Sequence, residues 1–510
     1  MCCVIPGVKN AAGYSVVPAA DSRGEFAMSI AAADSAADMP DGSAALQQTL
    51  RRQREAFRRQ GPPSYEQRLA ALDRLKKTIN AFREDMAKAV SEDFGHRSWH
   101  ETMVAEVMTS LDTVKHARKH LKRWMRPEKR PLDRTKFALA SARVHYQPLG
   151  VVGIIAPWNY PFYLALSPLV AALAAGNRVM LKPSELTPRS AALLARMMAE
   201  AFDPAEVCVI TGDAQVGQAF SSLPFDHLLF TGSTAIGRKV MVAAAQNMTP
   251  VTLELGGKSP TIVADDYPLD KAVDSIMAGK LLNAGQTCIA PDYVFVPRRK
   301  RQNFVDLAAK SVEKLYPTLA ANPDYTSIVA DRHYERLQNL LGDARQRNFE
   351  VVPLNPKGET LSNQRKIAPT LVLDPDDHAA VMREEIFGPV LPVKSYDDLN
   401  EVIDYVNSHD RPLALYMFSN DQQQIDRVLQ RTTAGGVTIN ETLYHVAAED
   451  LPFGGVGPSG TGAYHGRDGF VTFSHAKGTF HQSKWNAAGM LRPPYGAKIE
   501  RLLRFMMGRA

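Results

Sequence analysis

Four cysteines in 510 residues are too few, and too unevenly placed, for a disulfide framework. Cys2 and Cys3 adjoin near the start, while Cys208 and Cys288 lie far along the chain. That usage fits a reducing compartment, and a cytoplasmic protein is expected. No apolar run approaches the ~20 residues of a membrane span. No basic segment leads into a clean apolar stretch at the N-terminus, which argues against a secretory signal. Charge of one sign is not in large excess: the net charge is +6 with 22% charged residues. Much of the surplus falls in Lys115–Lys136, without the aromatic interleaving or fold signature of a nucleic-acid binder. A solvated helix face is expected there and no nucleic-acid partner. The thirteen histidines and four cysteines show no ligand spacing, so no metal is expected.

What remains is an ordinary globular composition, 45% hydrophobic, long enough for two or three domains. Residues 1–42 read as a flexible leader rich in Ala, Ser, Asp and Gly, with Met28 an alternative start to Met1. Ser64 and Gln67 form a capping box, followed by an apolar face at Leu69, Leu72, Leu75, Ile79, Phe82, Met86 and Val90. A second helix is expected through Val104, Val107, Met108, Leu111 and Val114. From Val151 the period changes. The runs VVGIIA, NRVMLK, VCVIT, HLLF and VTLE alternate with helical stretches, the pattern of βαβ units and a parallel sheet. After Leu255 a second α/β block follows, with strands TIVA, YVFVP, TLVLD, VLPVK, LALYMF and GVTI. The tail contains KIERLLRFMM, an amphipathic stretch that either docks on the protein or touches a membrane peripherally.

Several strand ends carry polar groups suited to chemistry, as ligands of parallel sheets require. Cys288 lies in a small-residue turn, LLNAGQTCIAP; alone it reads as a structural thiol. Glu254 closes a strand beside Gly256 and Gly257, where a carboxylate is costly to bury and a general base would be at home. Asn159, in PWNYP, can donate to an oxyanion, or simply cap a helix before Pro161. Lys182 and Glu185, in KPSE, can bind the hydroxyls of an adenosine ribose, or pair with each other. Gly232 and Ser233, in FTGSTAIG, lead from a strand into a helix N-terminus that would suit a pyrophosphate, although GxGxxG is absent. EEIFGPV (384–390) and the glycine-rich PFGGVGPSGTGAYHG (452–466) complete the set, the latter indicating irregular backbone against another surface.

Taken together, PWNYP, KPSE, FTGSTAIG, ELGGKSP, GQTC, EEIFGPV and PFGGVGPSG, in this order, resemble the aldehyde dehydrogenase superfamily over about Ala44–Ser474. YHG at 464–466, FSH at 473–475 and RPPY at 492–495 resemble its class 3 branch. The resemblance implies an α/β fold with two parallel-sheet domains and a small bridging β element. The cofactor domain would comprise 43–130 and 151–254, the catalytic domain 255–440, the bridging and oligomerisation element 131–150 and 441–480, and the tail 481–510. It further implies Cys288 as nucleophile, Glu254 as base and Asn159 as oxyanion donor. Lys182, Glu185, Gly232, Ser233, Glu385 and Phe387 would contact NAD, with NADP as the alternative, and Tyr160 would line the substrate funnel. The implied reaction is oxidation of an aldehyde to its acid by a homodimer. The substrate would be an aromatic aldehyde such as coniferyl aldehyde, with a medium- or long-chain fatty aldehyde as runner-up. A non-catalytic binding protein on this fold is the reading of another class, and retention of both thiol and base argues against it.

Overall fold

The computed structural model describes residues 43–137, 139–361, 364–486 and 488–508. The leader expected at 1–42, with Cys2, Cys3 and Met28, lies outside the described residues. The first long helix, Tyr65–Phe94, starts at the expected capping box: the Gln67 N–H donates to Ser64 Oγ, and the Ser64 N–H donates to Gln67 Oε1. Gly95 ends it in the left-handed conformation that glycine tolerates. Leu72, Leu75, Ile79, Met86 and Val90 are buried, each contributing about 1.5–3 kcal/mol through removal from water.

The second helix departs from its expected face. Val107 and Val114 are buried, but Val104 and Met108 are 53% and 48% exposed. The cause is a π-helical stretch at Met103–Met108, whose extra residue per turn rotates the apolar stripe. In the basic segment that follows, Lys115 pairs with Asp112 and Arg118 with Asp73, as suits a solvated face.

Two parallel sheets form where the apolar runs alternate with helices. The first runs, edge to edge, Gly460–Thr461, Val251–Glu254, His227–Thr231, Val151–Ile155, Arg178–Lys182 and Val207–Val209, all parallel except Gly460–Thr461. The second runs Glu350–Pro353, Thr370–Leu373, Val390–Tyr396, Tyr293–Pro297, Pro260–Val263, Ala414–Phe418 and Gly436–Ile439, parallel except for its first strand. A three-stranded antiparallel sheet joins Glu128–Arg130, Ser141–Pro148 and Ser474–His481. Of the segment 441–480, only the end enters this small sheet. Gly460–Thr461 instead pairs with Leu253 and Glu254. A Cβ at Gly460 would stand 2.1 Å from the Leu253 carbonyl oxygen, so that approach requires glycine.

Register brings the chemistry to one edge. Ile155 pairs with Lys182 and Phe230, and Thr231 pairs with Glu254. The polar residues that follow these strands therefore share the carboxyl end of the sheet. The tail forms the helix Ala497–Met507; Ile499 is buried, whereas Leu503, Phe505 and Met507 are exposed. Among the described residues no helix is long and apolar enough to cross a membrane.

Candidate active site

A cavity of about 260 Å³ gathers Asn159, Gly232, Ser233, Glu254, Cys288, Glu385 and Phe387. Cys288 reaches it from the helix Leu269–Leu281 through a tight turn in which Asn283 and Ala284 hold positive φ. Side-chain amides brace that turn. Asn283 Nδ2 donates to the Gln286 carbonyl, Gln286 Nε2 donates to the Asn283 and Ser327 carbonyls, and Gln286 Oε1 accepts the Val329 N–H. The half-buried thiol is thus carried by rigid backbone.

Glu254 faces the same cavity from its strand end and is 2% exposed, with neither carboxylate oxygen hydrogen-bonded within the protein. Burial drives its pKa well above the carboxylate range. Burial also pushes the Cys288 thiol up to about 12, and the negative charges of Glu385 and Glu254 add to the effect. Glu385 rises to about 8, from burial first and Asp292 second. Burial thus disfavours the charged form of all three groups. Each becomes a better nucleophile or base as pH rises, or as positive charge enters the cavity.

Asn159 follows the strand Val151–Ile155. One Nδ2 hydrogen goes to the Gln286 carbonyl at 3.2 Å, leaving the other for an acceptor in the cavity. The loop is held from behind by an ion pair that the sequence reading does not anticipate. Arg97 and Glu106, both with fully buried side chains, meet at 3.0 Å. Arg97 donates to the Asn159 carbonyl at 3.0 Å, and Glu106 accepts the N–H groups of Phe162 and Tyr163. The pairing crosses the turn between two helices and leaves no periodic trace in sequence.

Tyr160 does not line the cavity. Its ring lies over the Arg97 guanidinium, 4.7 Å to the centroid, and its hydroxyl shares a 2.7 Å hydrogen bond with Thr287. Trp158, Leu164, Phe453 and Tyr464 form cavity wall instead. The glycine-rich segment that carries Phe453 and Tyr464 was the available signal for this surface.

Of the residues expected to contact a dinucleotide, Gly232, Ser233, Glu385 and Phe387 lie together on the cavity. Gly232 and Ser233 precede the helix Thr234–Ala245, whose N-terminus has no side-chain cap and is open to an anion. A Cβ at Gly256 would stand 2.2–2.5 Å from the Glu385 carboxylate, so glycine alone admits that side chain. The Gly257 N–H donates to it. The loop bearing Glu385 and Phe387 is fastened by three charged groups. Lys258 donates to the Val381 and Glu384 carbonyls, Asp292 accepts the Ile386 N–H at 2.9 Å, and Arg336 donates to the Glu385 and Ile386 carbonyls. Phe387 meets Trp158 edge-on at 5.3 Å. Lys182 and Glu185 lie outside this cavity, at the end of the neighbouring strand, with a 3.5 Å ion pair; Lys182 is buried and Glu185 is exposed. Both alternatives raised for them, ribose site and mutual pair, are compatible with that geometry.

The profile of the aldehyde dehydrogenase family matches residues 28–479. A probable coniferyl aldehyde dehydrogenase of Caulobacter vibrioides is 52% identical over 466 residues, covering 90% of this chain and 96% of its own. A coniferyl aldehyde dehydrogenase of Pseudomonas sp. strain HR199 is 48% identical, covering 92% and 97%. Among solved structures, a substrate-bound state of AldH from Staphylococcus aureus superposes with a TM-score of 0.85 at 38% identity, covering 90% of this chain and 99% of that one.

Proposed function

The chain belongs to the aldehyde dehydrogenase family, and from that premise we propose that it oxidises an aromatic, conjugated aldehyde such as coniferyl aldehyde through an acyl thioester on Cys288. The observation that carries this reading is the convergence of the Cys288 thiol, the unpartnered Glu254 carboxyl and a free Asn159 N–H on one cavity.

The Cys288 proton passes to ionised Glu254 and on to solvent, and the thiolate adds to the aldehyde carbon. The oxyanion that forms accepts the free Nδ2 hydrogen of Asn159, an interaction worth about 3–4 kcal/mol in the transition state. NAD, when bound, supplies the hydride acceptor and a positive charge near the thiol. Loss of hydride from the tetrahedral carbon leaves a thioester on Cys288. Glu254 then takes a proton from water as the water oxygen adds to the thioester carbon. The C–S bond breaks, the carboxylic acid departs, and the sulfur regains a proton.

Residues 43–130 and 151–254 form the cofactor domain in this account, 255–440 the catalytic domain, and 131–150 with 441–480 the bridging element. Gly232 and Ser233 hold the pyrophosphate, Glu385 the nicotinamide ribose, Phe387 the nicotinamide face, and Lys182 with Glu185 the adenosine ribose. The Glu185 carboxylate would repel a 2′-phosphate, which favours NAD over NADP. Trp158, Phe387, Phe453 and Tyr464 give the cavity an aromatic wall suited to a flat conjugated substrate. Exposed Phe480 and Leu139 at the three-stranded sheet support homodimer formation there. We place the enzyme in the cytoplasm, where its free thiol would persist.

The deciding assay follows cofactor reduction by purified protein with coniferyl aldehyde, benzaldehyde, hexanal and a long-chain aldehyde, each with NAD and NADP. The expected result is the highest kcat/KM for coniferyl aldehyde with NAD. Equal values for hexanal would remove the aromatic preference and leave a fatty aldehyde as the better assignment.

A further inference from the structure

A second cluster of donor atoms lies outside the catalytic cavity and has no part in the chemistry above. The helix Thr109–Trp124 presents His116 and His120 one turn apart on one face. The four-residue spacing is a helical metal-ligand spacing. The expectation that the histidines carry no ligand spacing missed this pair, whose third donor, Asp450, sits near the other end of the chain. His120 Nδ1 lies 3.1 Å from His116 Nε2, and His116 Nε2 lies 3.3 Å from Asp450 Oδ1. One donor atom from each of the three residues falls within 4.8 Å of the others.

These separations are close to those of a coordination sphere. Two donors bound at about 2.0–2.1 Å in a tetrahedral site stand about 3.3–3.4 Å apart. Two edges of such a polyhedron are therefore nearly formed already. The His116 side chain is 14% exposed and that of Asp450 is 69% exposed, so the cluster is walled on one side and open to solvent on the other. Gly466 leaves room in that wall: a Cβ there would stand 3.5 Å from His116 Nε2 and 2.1 Å from the Glu449 carbonyl oxygen.

We propose that His116, His120 and Asp450 form a binding site for one divalent transition-metal ion of the zinc class, which ties the loop beginning at Glu449 to the helix Thr109–Trp124. The two elements already share one stitch, a 2.5 Å hydrogen bond from the Thr113 hydroxyl to Glu449. The same loop runs on to Phe453, part of the cavity wall around Cys288. An ion here would fix that wall without touching the reacting atoms.

The test uses the untagged full chain in a Cys288→Ser background, so that the active-site thiol cannot take the ion. Zn²⁺ and Co²⁺ are titrated calorimetrically. Co²⁺ is also followed by quenching of Trp124, whose ring lies 5.7 and 5.9 Å from those of His116 and His120. The expected result is saturable binding of one ion per chain with parallel quenching. Asp450→Asn should weaken it about 10-fold or more, and His116→Asn with His120→Asn should abolish it. Asp450 is largely exposed, so its variant is expected to fold, with an unchanged Tm in chelator as the check. Absence of saturable binding, or equal affinity in the parent and all variants, would overturn the proposal.

Discussion

Gly256→Ala should impair cofactor binding while leaving the fold intact. The added Cβ would fall 2.2 and 2.3 Å from the two carboxylate oxygens of Glu385. Non-bonded carbon and oxygen approach to about 3.3 Å, so the carboxylate must withdraw by about 1 Å. Glu385 is the free end of a flexible side chain, so the withdrawal costs little stability, but it breaks the hydrogen bond from the Gly257 N–H. It also removes the acceptor assigned to the nicotinamide ribose. A hydrogen bond to a charged group is worth about 1.5–3 kcal/mol, which converts to a roughly 10- to 150-fold rise in cofactor Kd. NAD and NADH affinities, read by fluorescence titration, measure this directly, with Tm as the control for folding. Because the effect runs through Glu385, the double variant Gly256→Ala/Glu385→Gln should bind no more weakly than Glu385→Gln alone. A Kd within about 3-fold of the parent, or additive losses in the double variant, would refute the reasoning.

Glu254→Gln should retain a burst of reduced cofactor followed by slow turnover, because thioester hydrolysis lacks its base; an unchanged steady-state rate would exclude that role. The parent's hydrolytic rate should climb with pH above the ordinary carboxylate range, because burial raises the Glu254 carboxyl, and Glu254→Gln should flatten that climb. Arg97→Met leaves Glu106 buried without its partner, so the variant should lose about 3–5 kcal/mol by chemical denaturation together with much of its kcat/KM; an unshifted midpoint would contradict the buried pair. Burial lowers His227 and His445 to about 4 and His465 to about 3, below the ordinary value of about 6.5 that the unfolded chain keeps. The unfolded chain therefore binds more protons below pH ~6.5. Stability from these groups is present above that pH and is lost as pH falls toward 4, so Tm should drop across that window, and a flat profile would argue against neutral buried imidazoles.

Most strands of both sheets were legible because each is a short apolar run between polar ends, and burial leaves that mark. The edge strands Glu350–Pro353 and Gly460–Thr461 were not: half of the first is exposed around only two valines, and the second is two residues within a glycine-rich segment. Cys288 and Glu254 were singled out through the small residues and glycines beside them, Asn159 through its place at a strand end, and Glu385 only through the family resemblance. Tyr160 was carried to the funnel by the family resemblance alone; its ring lies over Arg97 and its hydroxyl meets Thr287. Arg97, Glu106, Lys258 and Arg336 escaped notice because a buried or clamping charge looks like any surface charge until its partner is known. The exposed Val104 and Met108 depend on a π-helical turn, which no regular periodicity reveals.

The central claim is that the aldehyde is oxidised while bound to Cys288, and Cys288→Ala tests it most directly. With coniferyl aldehyde and NAD, this variant should form no aldehyde-dependent NADH, while its NAD affinity stays that of the parent. Substantial NADH formation by Cys288→Ala would contradict the account.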